Sequence, residues 1–333
     1  DTPLPEFINR GTIRSNIAGK ELGIDTGTIN NEGVLEAVDG GILRLLGSGR
    51  SHQWKNFGTI RAQSGGLVFL SGHVRGENLG VIREEGGEVL VDAKIDNSGN
   101  TLTVNDSLKF TLWNGGRIKG GTVDATQSAL RIGALSTSTA TLESMAFVGE
   151  AAVQANTTLV LRDVTGNHTV RLQGASSRAT ISNPTFGGNV VFEGSGAIRT
   201  LAAGSLGSSS QPGFLTLTST ALVRGGNGRV LTSTTGGTII NEGRISADVA
   251  DQSITIHTER FFNAGTVEAI LGGSIVYIHP AGRSNVLDNV FYNGGLLRLA
   301  GQGTFSTAGA YFQDDGASLL IELDAVHPTW GPI

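Results

Sequence analysis

Apolar and polar residues alternate with a period of two along most of this chain, in short runs broken by glycine-bearing corners. Thr59-Ile60-Arg61-Ala62 and Leu67-Val68-Phe69-Leu70 are typical, and each predicts a short strand with one face turned toward a core. No stretch of convincing length repeats its apolar residues at helical spacing.

The strands belong to a repeat. Asn-x-Gly stands at Asn9, Asn31, Asn56, Asn78, Asn97, Asn114, Asn241, Asn263 and Asn293. Steps of 22, 25, 22, 19 and 17 residues separate the first six, and 22 separate Asn241 from Asn263. Four residues after the asparagine come Ile13, Leu35, Ile60, Ile82, Thr101, Ile118, Ile245, Val267 and Leu297. Leu102 beside the polar exception marks a slip of one residue. Two positions further on stand Ser15, Ala37, Ala62, Glu84, Thr103, Gly120, Ala247, Ala269 and Leu299, mostly small, with Glu84 the outlier. After Gly40-Gly41, Gly65-Gly66, Gly86-Gly87 and Gly272-Gly273, a second strand sets Leu43 and Leu45, Val68 and Leu70, Val89 and Val91, and Ile275 and Tyr277 at alternate positions. One such unit cannot enclose a core, but stacked at the spacing of adjacent strands the units bury their aliphatic residues in a continuous column. The pattern therefore predicts an all-β chain built as a single parallel β-helix, or β-solenoid, with coils of about 17–25 residues.

All of residues 1–333 read as one continuous solenoid. Regular coils are expected over 1–121 and 239–323, and 324–333 forms a C-terminal edge or the start of further chain. Residues 122–238 keep the strand texture but lose the Asn-x-Gly punctuation, so irregular coils are expected there. The richest loop candidate is 202–213, full of Gly and Ser.

Composition agrees with this reading and narrows the function. Fifty glycines, and 16% charged residues against about 25% in ordinary soluble domains, favour strands and tight corners. A net charge of -5 without a Lys/Arg cluster gives no footprint for nucleic acid or an anionic membrane. The absence of cysteine removes disulfides, thiolate metal sites and thiol nucleophiles. No apolar run is long enough to span a bilayer, so direct membrane insertion is not expected and any export signal or anchor is expected outside this sequence.

The run Asn56-Phe57-Gly58-Thr59-Ile60-Arg61-Ala62, with Gly40-Gly41-Ile42-Leu43-Arg44-Leu45, resembles the repeats of bacterial secreted β-helical surface proteins, the filamentous-haemagglutinin-like adhesins and autotransporter passengers. The likeness covers roughly 7–121 and 236–323. It implies a right-handed β-helix, export, and a place at or beyond the cell surface. It implies no catalytic residue.

For the corner asparagines, the spacing predicts a structural role: each carboxamide donates to the next, while the following glycine supplies a positive φ. Glu84 and Glu85, beside Arg83, offer paired carboxylates for acid/base work, or a corner that opens and leaves all three solvated. His257 and Glu259 are expected to share an outward face near Arg260, an arrangement suited to a polysaccharide lyase. Asp314-Asp315 and Asp248 with Asp251 lack the spacing of a calcium repeat. Trp54, Trp113 and Trp330 would stack on sugars only if they point outward. Hydrolase and phosphate-loop signatures are missing, and no metal or cofactor is expected. The leading expectation is a non-catalytic structural or adhesive segment of a larger secreted or cell-surface bacterial protein, presenting loops or a flat face to extracellular glycans, cells or copies of itself. A polysaccharide lyase or glycoside hydrolase on the same scaffold is the alternative from another class, and end-to-end assembly into filaments through the terminal coils is a third.

Overall fold

A computed structural model describes residues 6–46, 53–133, 137–183, 185–200, 213–232, 236–278 and 289–322. The chain is a parallel β-solenoid: apart from one 3-10 turn at Gly76–Asn78, the named elements among the described residues are all strands, and the strand pairs run parallel. It divides into two compact units, Asp1–Ser182 and Asn183–Ile333.

In the first unit each regular coil contributes three short strands, which stack on their counterparts in the next coil. One column holds Glu6–Asn9, Thr28–Asn31, Gln53–Asn56, His73–Arg75, Lys94–Asp96 and Arg117–Lys119. A second holds Thr12–Ser15, Val34–Ala37, Thr59–Gln63 and Val81–Glu85. The third runs through Glu21–Asp25, Ile42–Leu46, Leu67–Leu70 and Glu88–Val91. Period-two alternation decides which residues turn inward: Leu35, Ile60 and Ile82 lie in register and are fully buried, as are Leu43, Val68 and Val89. Each such side chain contributes about 1.5–3 kcal/mol, offset by the cost of ordering the chain. Ala37 and Ala62 are also fully buried, at the positions where the strand meets its corner. Leu102, not Thr101, turns inward in its coil.

Beyond Gly121 the corners without asparagine give way to longer strands, Thr122–Ile132, Ser138–Gln154 and Thr157–Thr165. Ser138–Gln154 has positive φ at Ser144 and Gly149 and Thr157–Thr165 at Asp163, while Thr122–Ile132 shifts register between Ala125 and Leu130.

The second unit repeats the three-column plan. Leu222–Gly225, Arg244–Ala247, Thr266–Ala269 and Leu296–Leu299 form one column. Gly228–Leu231, Ser253–His257 and Ser274–Ile278 form another. Thr238–Asn241, Arg260–Asn263, Val290–Asn293 and Ala310–Gln313 form the third. Tyr277, Phe261 and Phe291 fill its core, with Phe261 and Phe291 4.8 Å apart between ring centroids.

The glycine of Asn-x-Gly supplies the expected positive φ at Gly80 and Gly99 but not in the regular ladders. Gly33, Gly58, Gly243 and Gly265 are absent from the positive-φ positions. A Cβ on Gly33 would collide with the carbonyl oxygen of Gly11, and one on Gly58 with that of Gly33. The residue is small because successive coils touch backbone to backbone there. Positive φ belongs instead to the first glycine of the Gly-Gly corners, such as Gly40 and Gly65. The loop expected over 202–213 lies, except for Gly213, outside the described residues, as do Trp330 and the edge at 324–333.

Candidate functional site

A groove of about 460 Å³ lies on the first unit. Three strands of three residues build it: His73–Arg75, Lys94–Asp96 and Arg117–Lys119. Their central residues Val74, Ile95 and Ile118 are buried in the core, so the flanking side chains must point outward. Parallel register then aligns them in two rows. His73, Lys94 and Arg117 form one, with Gln53 opposite His73; Arg75, Asp96 and Lys119 form the other. Neighbours within a row stand one strand spacing apart, about 4.8 Å.

The charges are unevenly satisfied. Arg117 Nη2 binds Glu143 Oε1 at 2.6 Å, and Lys119 Nζ lies 4.0 Å from the same oxygen. Arg75 and Glu77 approach only to 3.7 Å. Lys94 has no carboxylate within ion-pair distance among the described residues, and the buried Nε of Arg117 lacks a hydrogen-bond partner there. Hydrogen bonds from Ser98 hold the Asp96 carboxyl below its ordinary range, assisted by Arg75 and Lys119 against the opposing effect of burial. Desolvation and the Lys94 charge lower the affinity of His73 for a proton. The groove thus combines cationic donors with a single lining carboxylate and an imidazole biased toward its neutral form.

The expected corner asparagines separate into two groups. Asn9 Nδ2 donates to Asn31 Oδ1 and Asn31 Nδ2 to Asn56 Oδ1, both at 2.7 Å. In the second unit Asn241 donates to Asn263 and Asn263 to Asn293, both at 2.8 Å. Asn97 is buried, and its Nδ2 donates to the backbone carbonyls of Thr122, Asn100 and Gly120. Asn78, Asn97 and Asn114 belong to neither ladder, which corrects the expectation that each carboxamide donates to the next. The register that puts His73 opposite Gln53 places Gly76 where Asn78 was expected, and the Asn56 carboxamide bonds to the Leu79 and Val81 carbonyls. Asn114 sits exposed in a turn at φ 43°.

Glu84 and Glu85 do not form an acid/base pair. Adjacent residues on a strand face opposite ways, and the Glu84 side chain, 4% exposed, binds Arg131 at 2.9 Å and accepts the Val89 N–H. Arg131 also binds Glu88 at 3.0 Å. The expected solvated corner is therefore a buried ion pair at Glu84, while Glu85 pairs with Gln63 on the outside. His257 and Glu259 do not share an outward face either. His257 Nδ1 accepts from Arg229 Nη2 at 3.0 Å. Glu259 is buried because the chain turns a corner after His257, which interrupts the strand alternation. Its carbonyl accepts the Tyr277 hydroxyl at 2.7 Å. Burial, with the Glu259 charge, raises the pKa of that phenol and keeps it a donor.

No family model matches the chain, and no curated protein matches it. Among solved structures it is similar to the TibC-catalysed hyper-glycosylated fragment of TibA, at 13% identity, over 96% of this chain and 98% of that one, with a TM-score of 0.24. A likeness at that level carries no argument, and the solenoid rests on its own strand register.

Sequence reasoning missed one motif that was there to be read. Five residues after the corner asparagine stand Arg14, Glu36 and Arg61 in consecutive coils, and they align in register. Glu36 is fully buried between the two guanidiniums, with Arg61 at 2.6 Å. Burial alone would raise its pKa, but the hydrogen bonds and charges of Arg14 and Arg61 outweigh that and hold it below its ordinary value. Glu268 repeats the device with Arg244, Ser246 and Arg298. Trp54 is buried and Trp113 packs on Phe69 with centroids 5.6 Å apart. Among the described residues no three of His, Cys, Asp and Glu gather as a metal site, and no helix is long and apolar enough to cross a membrane.

Proposed function

We propose that this chain is a non-catalytic adhesive segment of a secreted or cell-surface bacterial protein, and that its solenoid holds an outward groove against extracellular glycans. The observation that carries the reading is the pair of outward rows on three successive strands, His73-Lys94-Arg117 and Arg75-Asp96-Lys119. A backbone ladder holds such rows rigidly at regular spacing, which suits contact with a repeating ligand more than attack on one bond. Only one carboxylate lines the groove, so the pair of acids used by most glycosidases is not assembled there. A glycan panel presented to the immobilised protein tests this. Retention of at least one glycan without any change in its chain length is expected, and failure to retain any would remove the adhesive reading.

One observation favours a second reading. His73, held toward its neutral form beside Lys94, is in the state a general base requires. A polysaccharide lyase would use it to abstract a proton next to a sugar carboxylate. Release of unsaturated products, lost in His73→Ala, would establish that reading instead.

A further inference from the structure

We infer that the groove recognises an acidic glycan, a chain of uronate-type sugars that bring carboxylates and hydroxyls together. This rests on the adhesive reading and names its ligand class. Two features of the groove point to a carboxylate. The Lys94 ammonium is exposed with no carboxylate within ion-pair distance among the described residues, and the Arg117 guanidinium, one third exposed in the next strand of the same row, lines the groove beside it. An ammonium and a guanidinium a strand spacing apart are complementary to an anionic group lying across the strands.

Charge alone does not describe the site. Arg75, Lys94, Arg117 and Lys119 line it, but Asp96 lies among them and Glu143 neutralises much of Arg117. A dense polyanion such as polyphosphate would meet Asp96 directly and leave its acceptor capacity unused. A sugar bearing a carboxylate uses both signs: the carboxylate goes to Lys94 and Arg117, and hydroxyls donate to Asp96. A carboxylate has about four lone-pair sites, and the hydrogen bonds from Ser98 leave Asp96 with acceptor capacity. Gln53, at the head of the first row, adds an amide that both donates and accepts.

The test is titration of the whole chain at neutral pH with polygalacturonate, with dextran as a neutral glycan and with polyphosphate as a bare polyanion. Polygalacturonate is expected to bind, with dextran and polyphosphate each weaker by roughly tenfold or more, a difference that one lost charged contact can produce. Lys94→Ala should weaken polygalacturonate by roughly tenfold. Asp96→Ala is the decisive variant: hydroxyl recognition predicts weaker binding, whereas attraction by charge alone predicts stronger. Circular dichroism shows whether each variant is folded, and Lys109→Ala, outside the groove, should bind as the parent does. Equal binding of polyphosphate, or tighter binding by Asp96→Ala, overturns the inference. So does polygalacturonate binding unchanged in Lys94→Ala, or no polygalacturonate binding at all. If dextran or another neutral glycan is retained while polygalacturonate is not, the adhesive reading stands and the acidic ligand fails.

Discussion

Asn31 donates its carboxamide N–H to the carboxamide oxygen of Asn56 at 2.7 Å, across 25 residues of chain. Through Asn9 it also receives, so a buried row of amides joins three coils at one corner. Removing the middle amide leaves a donor on Asn9 and an acceptor on Asn56 unsatisfied. Asn31→Ala should therefore destabilise the chain by about 2–4 kcal/mol, since each orphaned buried group costs about 1–3. Asn114→Ala, which alters the same sequence motif at an exposed turn, should stay within about 1 kcal/mol. Denaturant melts of both variants check this, and equal losses would contradict the ladder.

The corner glycines make a parallel prediction. Gly33→Ala drives a methyl group into the Gly11 carbonyl, while the same change at Gly11 meets nothing within 4 Å. Gly33→Ala should lower the melting temperature by several degrees, the effect of about 1–2 kcal/mol in a domain of this class. Gly11→Ala should not.

Ile60 and Arg61 are neighbours with different duties. Ile60 is fully buried, and Ile60→Asp places a charge in the core, so soluble folded protein should be lost. Arg61 is one third exposed yet closes the clamp on buried Glu36. Arg61→Ala should cost about 1–3 kcal/mol, more than an ordinary surface change, because the carboxylate keeps only Arg14. Unfolding by urea, with Glu36→Gln added to Arg61→Ala, checks the coupling: the second change should restore part of the loss.

Acid should weaken the first unit in two stages. His168 is buried, stacks near Phe147 and donates from Nδ1 to the Gly166 carbonyl. Desolvation lowers its pKa below the ordinary 6.5, outweighing that carbonyl. A lowered folded pKa favours the neutral ring, so this contribution is complete above about pH 6.5 and is lost as the pH falls below it. Glu36 is held below its ordinary 4.5, so its contribution is present above that value and disappears on further acidification. Melting temperatures measured from pH 7.5 to 5 should fall in the parent and fall less in His168→Phe.

The core was legible in the sequence and the groove was not. Leu35, Ile60 and Ile82 declare their inward direction by local alternation, which needs only a few neighbouring residues. His73, Lys94 and Arg117 become a row only when coil lengths are known exactly enough to set the register, and one 3-10 turn at Gly76–Asn78 shifts the count. The same turn made Asn78 look like a rung. Glu259 and Glu84 misled for a related reason: corners interrupt the alternation, and a long side chain at a corner can reach a partner such as Arg131, which is 47 residues away from Glu84. The Arg14-Glu36-Arg61 column, by contrast, keeps a constant offset from its asparagines and was available to sequence reading.

This solenoid is proposed to hold glycan without cutting it. The most direct test is prolonged incubation of the whole chain with polygalacturonate and with the glycans retained on the panel, followed by assay of reducing ends, unsaturated uronates and chain length. Retained ligand of unchanged length and no new ends are expected. Steady accumulation of unsaturated products, abolished by His73→Ala in a folded protein, would contradict the proposal and make the groove an active site.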